Sequence, residues 1–159
     1  MANFNNRFEN HYNPFLNRSS VDVLASILQH CNSATNRNIM SGISKDKGMT
    51  RIAAELRSKV RVFEDLAYAD ARGLQKLLKL VRPKDLAIAL RGAEPAVIQS
   101  IASNMSRNTF SDLKQEIDMA RAVTQNEVFE ARDRIMAVVS ELVALNEMYI
   151  NKNTKNGFN

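Results

Sequence analysis

Residues 62–81 read VFEDLAYADARGLQKLLKLV, with two adjacent acids, Glu64 and Asp65, followed by small residues and then a leucine-rich run. The acids could form the carboxylate pair of an active site, or they could stabilise the start of a helix. Neighbouring residues in a helical turn diverge by about 100°, so the two carboxylates would not share a proton. Acidic residues in a first turn are also favoured by the helix dipole. The sequence therefore favours two first-turn acids over a catalytic pair.

Apolar residues recur at intervals of three and four from about residue 20 to residue 148, which is the spacing of one helical face. No segment alternates with a period of two for long enough to predict a strand. Helix-end signals punctuate the pattern: a capping box at Ser19 and Asp22, another at residues 124–127, a left-handed cap residue at Gly92 and a first-turn proline at Pro95. The sequence predicts an all-α protein of eight or nine short helices.

Short helices joined by brief loops stack into bundles or into superhelical layers of the armadillo kind. The two ends of the chain differ from this pattern. Six of the first 17 residues are Asn, and the last nine, NKNTKNGFN, contain no aliphatic residue. We expect polar tails at both ends.

Composition narrows the class of protein. The chain has 159 residues, of which 45% are apolar, enough for a packed core, and its net charge is +5. The positive charge is unevenly distributed, because residues 92–159 hold seven Lys and Arg against nine Asp and Glu. Lysines and arginines do not gather among aromatic residues, so we predict that the chain does not bind nucleic acid.

Cysteine content and hydropathy indicate the compartment. Cys31 is the lone cysteine, so an internal disulfide cannot form. No apolar run approaches the roughly 20 residues of a spanning helix, and the first residues are polar and unlike a leader. We expect a cytoplasmic protein with Cys31 reduced.

Reactive side chains are sparse. His11 lies in the polar N-terminal segment, and His30 would point away from Cys31 on a helix. The spacings of a metal site are absent, and the isolated glycines do not form a phosphate-binding loop. We predict that the chain is not an enzyme and that it has no metal site, no cofactor and no small-molecule substrate.

One predicted helix carries charges of alternating sign: Arg107, Asp112, Lys114, Glu116 and Asp118. Such a pattern is typical of a solvated face. It also suits an electrostatic docking ridge, on which charges set partner choice and encounter rate. Periodicity alone leaves both interpretations open.

Five motifs occur in one order: FEDL, DARGLQKLL, LAIALRGAE, NMS and, later, NEVFEARDRI. The series resembles the C-terminal half of the FliG family of bacterial flagellar motor switch proteins, where FEDL, DDRSIQKLL, LAxALKGA and NMS follow one another at this spacing. The upstream segment SSVDVLASILQHCNSATNRNIMSGI is similar to the armadillo-type unit that precedes them in that family. The resemblance covers roughly residues 20 to 148.

The resemblance implies an architecture: an armadillo-like, right-handed superhelical stack of short helices, followed by a six-helix C-terminal unit that faces the stator. We divide the chain into a polar tail at 1–18, an armadillo-like unit at 19–61, a stator-facing unit at 62–148 and a polar tail at 149–159. In the family, a hinge of the form Met-Phe-x-Phe joins the two units.

The hinge segment reads VRVF in this chain, and its residues are Val60, Arg61, Val62 and Phe63. The resemblance places Glu64 and Asp65 directly after the hinge, in a joint between helical layers. Arg61 replaces an apolar residue of the family, so we expect a less buried contact there than a Phe would make.

The positions of the family's charged ridge can be matched to this sequence residue by residue. They fall at Arg91, Asn108, Gln115, Glu116 and Thr124. Charge of the expected sign is kept at Arg91 and Glu116, and Lys114 matches a basic position beside them. The resemblance implies stator binding by these three residues. From the spacing we expect Lys114 on the open face and Glu116 nearer the edge of the core.

The resemblance also implies partners. These are the stator's cytoplasmic loop, of the MotA kind, and other subunits of the rotor switch, at the cytoplasmic face of the inner membrane in the flagellar basal body. Apolar residues of the first unit exceed what three short helices can bury, so we expect self-association by helical stacking through Val21, Leu24, Leu28, Ile39 and Met40.

Two alternatives remain open at the level of sequence. The chain could be a helical-repeat adaptor or regulator that no longer engages the stator, because several ridge positions lack charge. It could also be either a fragment of a longer protein or a shortened relative, and the MANFNN start favours the second.

Overall fold

The computed structural model describes residues 19–152, without the side chains of Ser33 and Arg121. It contains eight α-helices: α1 (Ser20–His30), α2 (Ser33–Lys45), α3 (Thr50–Lys59), α4 (Ala71–Leu80), α5 (Pro83–Ala89), α6 (Pro95–Ala102), α7 (Arg107–Met119) and α8 (Gln125–Ala144). Three 3-10 helices lie between them, at Lys47–Met49, Phe63–Tyr68 and Ala120–Ala122. The all-α prediction is confirmed. The predicted tail at 1–18 and residues 153–159 of the other predicted tail lie outside the described residues.

The predicted helix ends are confirmed. The Asp22 backbone N–H donates to Ser19 Oγ at 3.2 Å, and the Ser19 backbone N–H donates to the Asp22 carboxylate at 3.2 Å. The second capping box begins α8, where the backbone N–H of Thr124 donates to Glu127 at 2.7 Å and lowers the pKa of that carboxyl. Gly92 ends the α5 segment with a φ of 63°, a conformation in which a side chain would be strained.

Helices α1, α2 and α3 enclose a small core of their own. Its buried members are Ala25, Leu28, Leu56 and Val60. Leu28 and Leu56 are fully buried, and each contributes about 1.5–3 kcal/mol to stability. Six partly buried residues surround them: Val21, Leu24, Ile39, Met40, Ile43 and Ile52. This core therefore ends at Val60, immediately before the second unit begins.

The second unit packs around α8, which buries Ala131, Ile135 and Val139 completely. Helix α5 lies against α8 and α7, and α6 lies against the 3-10 helix Phe63–Tyr68. Counting that 3-10 helix with α4–α8 gives the six helices expected of this unit, and the single turn Ala120–Ala122 extends α7.

The segment after α8 returns to the start of α4. The Asp70 backbone N–H donates to the carbonyl of Tyr149 at 2.9 Å, and the Asn151 N–H donates to that of Tyr68 at 3.1 Å. Ala69 and Ile150 form an antiparallel bridge at the same place. Residues 149–152 were expected to begin a polar tail, but their backbone groups find partners here, and the structure corrects that boundary.

Candidate functional site at helix α7 and the joint

Helix α7 is anchored along one narrow stripe. Ser106 caps its first turn, with Oγ accepting from the Thr109 backbone N–H at 3.1 Å. Leu113 is buried, and Phe110 and Ile117 are half-buried against the core of the second unit. The three lie at intervals of three and four, so the remaining faces of α7 are open to solvent.

The exposed faces of α7 carry the predicted charges. Arg107, Asp112, Lys114, Glu116 and Asp118 are all exposed. Lys114 Nζ lies 5.8 Å from the centre of the Phe110 ring. The expectation that Glu116 lies nearer the core edge than Lys114 was wrong. Phe110, Leu113 and Ile117 form the buried stripe. Around the helix axis, Glu116 lies roughly 95° from the centre of this stripe and Lys114 roughly 65°.

Arg91 is placed differently from Lys114 and Glu116. It is half-buried, and its Nη1 donates a hydrogen bond to the carbonyl of Ala120, just beyond the last residue of α7. A cation at this end of a helix is favoured by the dipole, and the Ala120 carbonyl accepts from the Val123 backbone N–H at 3.3 Å as well. Ala120 is six residues beyond Lys114, about 9 Å along the axis. Arg91 therefore positions the end of α7, and the structure does not bring the three predicted stator-binding residues into one cluster.

The VRVF segment of the joint is buried at its two ends and more open in the middle. Val60 and Phe63 are buried, and Val62 is 41% exposed. Arg61 is half-buried. Its backbone is held by the side chain of Gln29 on α1, which accepts from the Arg61 N–H at 2.8 Å and donates to the Arg61 carbonyl at 3.4 Å. Arg61 Nε is buried and finds no hydrogen-bond partner among residues 19–152.

The two acids that follow the joint bind different cations. The Glu64 carboxylate pairs with Arg132 at 3.2 Å, and the Asp65 carboxylate pairs with Lys152 at 2.7 Å. Asp65 also accepts from the Val62 backbone N–H at 2.9 Å, which fixes the start of the 3-10 helix. Each carboxylate therefore has a structural partner, and both acids lie in the first turn of the 3-10 helix, as predicted.

Arg132 was missed by sequence reasoning. Its Nε donates to the Ala89 carbonyl at 2.9 Å and its Nη2 to the Arg91 carbonyl at 3.2 Å, at the end of α5. The guanidinium also lies 4.8 Å from the centre of the Phe63 ring. One side chain thus joins α8, α5 and the joint. The only signal in the sequence was its place in the NEVFEARDRI motif.

Two further contacts cross between the units and were also missed. Lys152 Nζ donates to the Val60 carbonyl at 2.5 Å, in addition to its pairing with Asp65. The Arg37 guanidinium of α2 lies 3.6 Å from the centre of the Phe129 ring of α8. Each pair is far apart in the sequence, and periodicity carries no information about such pairs.

The predicted stacking residues fall into two groups. Leu28 is fully buried between α1 and α3, so it holds its own unit together and cannot reach a neighbouring subunit. The other four, Val21, Leu24, Ile39 and Met40, are half-buried and keep part of their apolar surface open.

Within residues 19–152, no group of His, Cys, Asp and Glu side chains could hold a metal ion. No helix in the same range is long and apolar enough to cross a membrane.

Comparison with known families identifies the second unit. The model of the FliG C-terminal domain matches residues 46–150. This chain belongs to the FliG C-terminal domain family. The match begins in the loop before α3 and ends at the residue that bridges to Ala69, so it includes the joint, α7 and the returning segment.

Similar curated proteins are flagellar motor switch proteins FliG. That of Thermotoga maritima is 31% identical over 130 residues, which cover 82% of this chain and 38% of the relative. That of Borreliella burgdorferi is 25% identical over 138 residues, covering 87% and 40%. The chain thus spans about two fifths of the length of these relatives.

Solved FliG structures share the fold. A crystal structure of a FliG fragment from Helicobacter pylori gives a TM-score of 0.66 at 19% identity, covering 85% of this chain and 63% of that one. Full-length FliG from Aquifex aeolicus gives 0.54 at 23% identity, covering 81% and 40%. At these identities the likeness shows the fold alone.

Proposed function

We propose that this FliG-family chain is a non-catalytic component of the flagellar rotor switch. In this proposal α7 presents its charges to the cytoplasmic loop of the stator, at the cytoplasmic face of the inner membrane. The observation that carries the proposal is that α7, a helix of a FliG C-terminal domain, exposes a charged face. Its narrow apolar stripe fixes the helix, while five charges of both signs stay exposed.

The proposed mechanism is electrostatic. Lys114 meets an acidic group of the stator loop, and Glu116 meets a basic one. Exposed pairs of this kind are worth about 0.2–1 kcal/mol each, so they suit a contact that forms and breaks repeatedly. Arg91 acts through α7, because it holds the end of the helix that carries the charges.

Self-association by helical stacking belongs to the same proposal. The partly open apolar residues of α1 and α2, Val21, Leu24, Ile39 and Met40, would pack on a neighbouring rotor subunit. Burial of such residues gains about 25 cal/mol per Å² of apolar surface. Sedimentation equilibrium tests this contact, and a strictly monomeric chain at high concentration would contradict it.

We also propose that Val60–Phe63 is the hinge between the two units. Gln29 and Lys152 hold the backbone of this segment from opposite sides of the joint. Lys152→Met removes the hydrogen bond from Lys152 to the segment. Small-angle scattering should then report a broader distribution of interatomic distances within the molecule. A scattering curve that is identical to that of the wild type would contradict the hinge.

A second candidate function is a helical-repeat adaptor that does not engage the stator. It is favoured by Asn108 and Gln115, which are uncharged at positions where the resemblance places the ridge, and by Thr124, which serves as the cap of α8. Such a chain would stack on the rotor and ignore the stator loop.

A charge swap on α7 separates the two functions. The double variant Lys114→Glu, Glu116→Lys keeps the net charge of the chain and inverts the local order of charge. We expect it to bind a stator-loop peptide up to about tenfold more weakly, since two weak pairs become repulsive. Binding by the wild type should also weaken with added salt.

The matched control swaps two exposed charges elsewhere, Lys79→Glu with Glu94→Lys, and should bind like the wild type. Equal binding by the α7 swap and the wild type, or affinity that does not respond to salt, would favour the adaptor.

A further inference from the structure

Two open clefts meet at the joint and share two side chains. The first, of about 410 Å³, is lined by residues of α1 together with Lys59 and Arg61. The second, of about 470 Å³, is lined by the same two residues and by the segment around residues 143–152. Volumes of this order suit a short peptide or a small ligand. Arg61 is thus part of the walls of both clefts.

Arg61 has a fixed backbone and an unsatisfied side chain. The Gln29 amide binds both its N–H and its carbonyl, so the residue is held in place before any ligand arrives. Its guanidinium forms no ion pair with another residue of the described range, and the buried Nε lacks an acceptor. A buried donor without an acceptor costs about 1–3 kcal/mol, and this cost is recovered when the guanidinium turns to present Nε to the acceptor oxygens of a ligand.

The other cations of the clefts already have partners. Lys59 pairs with Asp22 at 2.5 Å and with Glu55 at 3.8 Å. Lys152 pairs with Asp65 at 2.7 Å. Arg61 is therefore the cation of the two clefts that forms no ion pair within the described residues. A singly charged carboxylate balances it and can accept two parallel N–H bonds from a guanidinium, whereas a phosphate dianion would leave excess negative charge close to Asp22.

The second cleft also offers apolar surface beside the cation. Tyr149 is 62% exposed at its edge, and Val143 and Ile150 are half-buried. Free acetate would not cover this apolar surface. An acidic side chain carried by a peptide with an apolar neighbour would satisfy Arg61 and cover these residues at once.

We propose that the joint is a docking site for an acidic peptide segment of a partner protein, in which Arg61 binds a Glu or Asp carboxylate and the Tyr149 side of the cleft receives an adjacent apolar side chain. The site is separate from the charged face of α7 and does not depend on the stator contact proposed above. The site is also not expected in the hinge of the family, which has an apolar residue at the position of Arg61.

The test is an NMR titration of the isotopically labelled full chain at constant ionic strength, observing the Arg61 Nε–H signal and the Tyr149 and Lys152 amides. The probes are N-acetyl-leucyl-glutamate amide, its glutamine counterpart, sodium acetate and inorganic phosphate. We expect a saturable shift with the glutamate peptide in the millimolar range and at least about fivefold weaker binding of acetate. The glutamine peptide should give no saturation.

Arg61→Gln should weaken binding of the glutamate peptide by about tenfold or more, as read from the Tyr149 and Lys152 amides. Arg82→Gln removes an exposed arginine that lines neither cleft and should bind as the wild type does. Thermal melting of Arg61→Gln serves as the folding control. We expect no loss of stability, because the substitution removes an unsatisfied donor and leaves the Gln29 contacts to the backbone.

Four outcomes would overturn the proposal. These are shifts that do not saturate, binding that survives Arg61→Gln, acetate binding as tight as that of the peptide, and phosphate binding that is tighter. The Lys114→Glu, Glu116→Lys swap should leave this titration unchanged, so failure of this proposal and failure of the stator contact can be told apart.

Discussion

Arg132 and Arg134 lie two residues apart on α8, and each pairs with a carboxylate, yet their surroundings differ. The Arg132 side chain is only 11% exposed and also donates to two carbonyls at the end of α5. The Arg134 side chain is 53% exposed and pairs with Asp85 at 2.7 Å. Exposed pairs are weakened by solvent, whereas a buried guanidinium with several acceptors cannot be removed without leaving polar groups unpaired.

We predict that Arg132→Met lowers the free energy of unfolding by about 2–4 kcal/mol, because the carbonyls of Ala89 and Arg91 lose their donor. Arg134→Met is the matched control and should cost less than about 1 kcal/mol. Urea denaturation measures both. Similar costs for the two variants would mean that Arg132 does not join α8 to α5 and the joint as described.

At the scale of elements, the contact between α4 and the segment after α8 closes the second unit. A Cβ atom added at Gly73 would lie 2.6 Å from Met148 Cγ and 2.8 Å from Met148 Cα. Asp70 caps α4 through the Gly73 N–H at 2.9 Å and also accepts from the Tyr149 N–H at 2.7 Å. Gly73 is therefore required by the close approach of two backbones.

Gly73→Ala should destabilise the chain by about 1–3 kcal/mol, since the backbone of Met148 must shift. Gly42→Ala is the matched control on α2. Its added Cβ meets no atom of the described residues within 4 Å, so it should raise stability by about 0.5–1 kcal/mol through helix propensity. Thermal melts of the two variants should move in opposite directions, and a stabilising Gly73→Ala would refute the close contact.

The same element predicts a dependence on pH. Burial alone would raise the pKa of the Asp70 carboxyl, but N–H donors from Tyr149 and Gly73 lower it below its ordinary value of 3.8. The stability that this carboxylate contributes is fully present above pH 3.8 and is lost as pH falls through the lower folded pKa. Asp70→Asn should therefore cost about 1 kcal/mol at pH 7 and progressively less below pH 4. A stability difference between the two proteins that stays constant from pH 7 to pH 3 would contradict this.

The elements also show which features can be predicted from sequence. The capping boxes at Ser19 and Thr124 were predicted because cap and partner lie three residues apart. The hydrogen bond between Gln29 and Arg61 joins residues that are 32 positions apart in the sequence, and the one between Lys152 and Val60 joins residues that are 92 positions apart. Such contacts depend on how the helices pack, so the pairing of residues 149–152 with the start of α4 was not predicted from the sequence.

At the scale of the whole molecule, two separate cores are joined by a short segment and by contacts that cross it. Gln29 and Lys152 bind the segment itself, and the Arg37 guanidinium of α2 packs on the Phe129 ring of α8. Helix α7 takes part in none of these contacts and is held by the second core and by Arg91. The contacts that join the two cores therefore leave the charged face of α7 free of the joint.

Site-specific photo-crosslinking in flagellated cells tests the central claim most directly. A photoreactive residue is placed at Lys114 on α7 and, as a control, at Lys79 on α4, both of which are exposed. The proposed function predicts crosslinks to the stator protein from position 114 and none from position 79. Crosslinks from neither position, or equally from both, would contradict the claim that α7 is the face this FliG-family chain presents to the stator.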